Sequence, residues 1–113
     1  MLYIDFSAGN KDYKLRLNTR NTVLLEKTLG CNPVAIFGSG EGLDALPPVT
    51  TMTAILHASL QQYHHGITMM DAYDIFDAWL ADGHSTTDFL GVIMELYQVS
   101  GIIPKEAEVE EKN

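Results

Sequence analysis

Three histidines, His57, His64 and His65, lie close together in the chain, and a fourth, His84, follows. If Val49–His65 is one helix, His57 and His64 share a flank two turns apart. At about 1.5 Å rise per residue they stand roughly 10.5 Å apart along the axis, too far to hold one ion. One turn after His57 comes Gln61, which is a poor ligand. There is no H-E-x-x-H motif and no second cysteine, so a zinc site lacks its ligands. The two helical histidines read as a partly exposed flank, and His84, in a Gly-His-Ser linker, as surface. Cys31 follows a glycine stop with no base linked to it, and reads as a small buried thiol under the first helix.

The run Gly38-Ser39-Gly40-Glu41-Gly42 has the glycine content of a phosphate loop. It lacks the Gly-Lys-Ser/Thr ending and no strand precedes it, so it reads as a connector. Asp71, Asp74 and Asp77 fall on one helical face, where three carboxylates converge poorly on a point. They form a solvated face or a docking face for a basic partner. Phe76 and Trp79 recur at core spacing, with Tyr73 beside them. No nucleophile, base and oxyanion donor come together. The expectation is therefore no enzyme, no cofactor and no metal.

The elements around these residues follow from periodicity. Leu2, Ile4 and Phe6 alternate with Tyr3 and Asp5; Tyr13, Leu15 and Leu17 alternate with Lys14, Arg16 and Asn18. The cluster Ala8–Asp12 between them predicts an antiparallel hairpin with one apolar face and one wet, basic face. A helix over Arg20–Leu29 starts at Asn18 or Thr19 and stops at Gly30, with Val23, Leu24, Leu25 and Leu29 as its apolar side. Asn32-Pro33 restarts a short turn. Gly38–Pro48, rich in glycine and proline, is the main loop. Val49–His65 is the next helix, with Met52, Ile55, Leu56, Ser59, Leu60 and Tyr63 inward. Thr68 and Asp71 form a capping box for a helix to Ala81, with Ala72, Ile75, Phe76, Trp79 and Leu80 on its apolar side. Ser85 and Asp88 form a second box for a helix to Ser100. That last helix is apolar over more than half its circumference, which makes it central or part of an interface. Leu90, Met94 and Tyr97 are its candidate partner-binding residues. The fold class is α+β: an N-terminal β-hairpin and a compact bundle of four to five helices over residues 1–104, followed by a charged flexible tail at 105–113.

The net charge is −8 over 113 residues. Between Thr28 and Pro104 there is no lysine or arginine, while Lys11, Lys14, Arg16, Arg20 and Lys27 crowd the beginning. An acidic body repels phosphate backbones, so neither a nucleic-acid binder nor a DNA-binding regulator is expected. No apolar run approaches the roughly 20 residues of a membrane span. The opening Met1–Phe6 has no basic region, so no secretion signal is expected, and the lone cysteine suits a reducing compartment.

The order of these features carries a resemblance. Tyr13-Lys14-Leu15-Arg16-Leu17-Asn18-Thr19-Arg20, then Leu25-Glu26-Lys27 and Leu29-Gly30-Cys31-Asn32-Pro33, resemble the start of tail assembly chaperones of long-tailed phages and prophages of Gram-positive bacteria. Ile55–Tyr63 and Asp71–Asp77 continue it, up to about Ile103. The resemblance implies a protein that binds the tape measure protein, keeps it soluble and helps recruit tail tube subunits during assembly of a non-contractile tail. It implies a homo-oligomer in the host cytoplasm, absent from the mature virion. The family has no catalytic residues to transfer. The alternative is a structural tail or head-completion component retained in the particle.

Overall fold

The computed structural model describes residues 2–37 and 46–104. Most of the glycine-rich stretch expected as the main loop, and the charged tail at 105–113, lie outside the described residues. Strand β1 (Ile4–Ala8) pairs antiparallel with β2 (Lys11–Leu15), with Phe6 opposite Tyr13 and Ala8 opposite Lys11. The two-residue connection is Gly9-Asn10, at φ 58° and 67°. Positive φ at both central residues is the geometry whose twist matches the strands, and glycine and asparagine tolerate it best. The inner face carries Ile4, Phe6, Ala8, Tyr13 and Leu15; Phe6, Ala8 and Leu15 are buried. The outer face is mixed rather than basic: Asp5 opposes Lys14 and Ser7 opposes Asp12.

Helix α1 (Thr19–Leu29) begins where the Asn18 side chain accepts the Asn21 N–H, and ends at Gly30 in the left-handed conformation. Its apolar side is narrower than expected: Leu25 is buried, Leu29 half-buried, and Val23 and Leu24 face out. Asn21 is buried in their place. A 3-10 turn, Pro33–Ile36, follows with Asn32 as its cap. Cys31 is exposed, a correction to the buried thiol, because Gly30 turns the chain away before Pro33 re-enters the core.

Helix α2 (Val49–Leu60) is the central one. Met52–Leu56 and Ala58–Leu60 are all buried, including Thr53 and Ser59, whose hydroxyls bond back to carbonyls one turn earlier. It stops before Tyr63 and the second histidine, five residues short of the expected end, and a run of turns to Gly66 replaces the missing helix. Helix α3 (Met69–Ala81) has the predicted capping box: Thr68 Oγ1 accepts the Asp71 N–H and Asp71 Oδ2 accepts the Thr68 N–H. Ala72, Ile75, Phe76 and Trp79 are buried.

Ser85 and Asp88 make the same reciprocal bonds, but a tight turn with i→i+3 bonds intervenes before α4 (Phe89–Val99). The Phe6 ring stacks on Trp79 and meets Phe89 edge-on, and Phe76 packs on both, so hairpin, α3 and α4 share one aromatic cluster. The hairpin is pinned at its tip by Gly9 N–H donating to Asp82 at 2.9 Å. Below it, Arg16 donates to the carbonyls of Leu2 and Val99, placing a cation at the C-terminal end of α4 where the helix dipole favours it. The α+β expectation, a hairpin followed by four α-helices, is what the chain adopts.

Candidate partner-binding groove

Along the edge of α1, Asn21, Leu24, Leu25 and Thr28 recur at helical spacing. Along the facing edge of α2, Ala54, His57, Ala58 and Gln61 do the same. Ala54 and Ala58 are too short to reach across, so the helices enclose a groove of about 380 Å³, with Met69 from the start of α3 at one end. Gln61 fixes that end by donating to the carbonyls of His57 and Ile67, at 3.0 and 2.8 Å. Leu24 forms a wall and is 54% exposed. Because it is already about half buried, covering the rest by a partner contributes about 1 kcal/mol, half the value for a fully exposed leucine.

Asn21 is 7% exposed. Its backbone N–H is taken by Asn18, but its side-chain amide makes no hydrogen bond among the described residues. No fully buried side-chain nitrogen or oxygen there lacks a partner. The Asn21 amide therefore keeps some contact with solvent, on a residue that lines the groove. Among the lining residues Lys27 is a cation and none is a carboxylate, on a chain with 15 acidic residues against 7 basic.

The residues singled out from sequence are placed differently. Tyr97, expected at an interface, has no exposed surface: its ring meets Phe37 and its hydroxyl donates to the Pro33 carbonyl at 3.0 Å. It is a core residue tying α4 to the 3-10 turn, and no partner can reach it without unfolding that contact. Leu90 is half-buried and Met94 is 38% exposed. Asp71, Asp74 and Asp77 are exposed on α3, with Met70 (68% exposed) and Tyr73 beside them. The capping-box bonds to Thr68 hold the Asp71 carboxyl below its usual range. Asp71 and Asp74 line a second groove against the hairpin, of about 500 Å³ and more open, with Gly9, Lys11, Tyr13 and Ala78. Sequence reasoning assigned Leu24 to the core and passed over Asn21; the signal available was a polar residue one turn before Leu25 on the face that must turn inward.

The titratable groups elsewhere serve the fold. His64 Nε2 accepts the Lys14 N–H at 2.9 Å, and its ring meets Tyr13 edge-on. Burial first, and the Lys14 charge second, lower its pKa and favour the neutral form that can accept this bond. The Lys14 ammonium sits 4.8 Å from the Tyr3 ring centre and 5.9 Å from that of Tyr63. His84 is exposed but stacks flat on Trp79 with ring centres 4.4 Å apart, covering the aromatic cluster. Among the described residues no group of three or more His, Cys, Asp or Glu side chains is arranged to hold a metal ion. No described helix is long and apolar enough to cross a membrane.

Compared with known proteins, residues 5–113 match one family model, DUF6096, described as a family of unknown function. No curated protein and no solved structure matches the chain.

Proposed function

The chain belongs to the DUF6096 family, whose function is unknown; from the groove and the resemblance in its linear order we propose that it is a non-enzymatic assembly chaperone of phage tails. In this reading it binds the tape measure protein in the host cytoplasm, keeps it soluble, and helps recruit tail tube subunits without entering the virion. The observation that carries the reading is the groove between α1 and α2, with Leu24 left in solvent at its wall. An apolar recess between two helices, with a partly exposed leucine on its wall, is the kind of surface that can take up another chain's apolar stripe. Exposed Met70 and Tyr73 on α3 supply further apolar surface, and methionine suits surfaces that accept varied sequences. The linear resemblance of the hairpin and the α1, α2 and α3 segments to tail assembly chaperones supplies the identity of the partner.

The test is co-expression with the tape measure protein of the phage or prophage that encodes this chain. The proposal expects more soluble tape measure protein when the chain is present, and co-purification of the two. Unchanged solubility with no co-purification refutes it. Recovery of the chain from purified virions favours the alternative, a structural component retained in the particle.

A further inference from the structure

We infer that the groove between α1 and α2 receives an amphipathic helix whose apolar stripe is interrupted by one hydrogen-bonding side chain and whose flank is acidic. This rests on the partner-binding reading above and adds the chemistry of what is bound. The groove is bounded by two helices and floored by Ala54 and Ala58, whose short side chains leave room for a third helix's ridge of side chains. Leu24 and Met69 give it apolar walls, with the buried Leu25 at its base.

Two independent observations restrict the occupant. The first is Asn21. Its side-chain amide, on a residue more than nine-tenths buried, has no partner among the described residues. A helix seated in the groove would cover it, and a covered amide without a partner opposes binding. The occupant must therefore bring a hydroxyl or amide to that point of its stripe. The second is charge. Lys27 is the cation among the lining residues and no carboxylate lines the groove. The exposed face of α3 carries Asp71, Asp74 and Asp77 instead. An acidic segment is attracted to the groove and repelled by the α3 face, so charge selects both the site and its occupant.

The experiment uses a display library of single-helix peptides with randomised surface positions, selected against the full chain. The inference expects enriched peptides with an apolar stripe broken by Ser, Thr, Asn or Gln and flanked by Asp or Glu. Their binding should fall about tenfold or more in Lys27→Glu and in Leu24→Glu, each an exposed position whose variant keeps the parent melting temperature. Selection against Asn21→Leu should enrich peptides with an unbroken apolar stripe. Enrichment of basic peptides, binding indifferent to Lys27 and Leu24, or no enrichment overturns the inference. Acidic peptides enriched in the groove without any effect on tape measure solubility would overturn the chaperone reading alone. Tape measure binding that ignores the groove variants would overturn this inference alone.

Discussion

Tyr97 offers the sharpest separation between core and interface on α4. Its hydroxyl donates to the Pro33 carbonyl at 3.0 Å with no solvent reaching the side chain. Tyr97→Phe keeps the ring, its contact with Phe37 and the helix, and deletes this bond alone. A buried hydrogen bond contributes about 0.5–1.5 kcal/mol net, and leaving the acceptor unpaired raises the loss, so the cost is about 1–2 kcal/mol. For a domain of this length that is a fall in melting temperature of roughly 5–10 °C. Tyr97→Ala also removes the buried ring and should cost about 3–5 kcal/mol. Urea denaturation reads both: the midpoint should fall with an unchanged slope. Burial, then the neighbouring Cys31, pushes the Tyr97 hydroxyl well above its ordinary value of 10.0. The folded state thus keeps a proton that the unfolded chain releases at high pH. Stability from this group is complete below pH 10 and declines above it, by about 1.4 kcal/mol per pH unit, a slope absent in Tyr97→Phe. A Tyr97→Phe variant within about 0.3 kcal/mol of the parent, below the range for a buried bond, with no difference in alkaline slope, would refute the placement of Tyr97 in the core.

Met94 is the contrast on the same helix: it is 38% exposed, and Met94→Asp should cost about 1–2 kcal/mol, well short of Tyr97→Ala, in the same urea experiment. His64 accepts the Lys14 N–H only when neutral, and its folded pKa lies below the ordinary 6.5. Its contribution is therefore full above pH 6.5 and is lost as pH falls below it, which a comparison of parent and His64→Leu urea midpoints at pH 7.5 and 5 will show as a smaller acid loss in the variant. Gly9→Ala forces a side chain into φ +58°, with its Cβ 3.2 Å from the Ala78 Cβ; calorimetry should show a loss of about 1–2 kcal/mol or more. Asp71→Ala removes half of the Thr68 capping box and should cost about 1 kcal/mol of thermal stability with no change in fold.

Local chemistry was readable where it decides the outcome locally. The Gly9-Asn10 turn, the Asn18 and Thr68 caps and the Gly30 stop depend on residues within one turn of each other, and the structure has them at the expected places. What periodicity cannot rank is how many neighbours enclose a helix. Helix α4 is the more continuously apolar, yet α2 is the more enclosed, because α1, α3 and β2 surround it and bury even Thr53 and Ser59. The same limit hid the candidate groove. Leu24 and Leu25 are adjacent and chemically alike, and only the position of α2 turns one inward and leaves the other on the groove wall. Asn21 is polar, and its burial follows from that packing. The Asp71, Asp74 and Asp77 row was placed correctly on an exposed face because a charged stripe opposite an apolar one has few other places to go.

The central claim is that the α1–α2 groove binds another chain. The most direct test is to titrate the purified chain, and its Leu24→Glu and Met94→Asp variants, into a soluble fragment of the tape measure protein and follow binding by calorimetry. The account predicts saturable binding by the parent and Met94→Asp, and a loss of about tenfold or more in affinity for Leu24→Glu at unchanged stability. Equal affinity for all three, or no heat of binding with any, would contradict it.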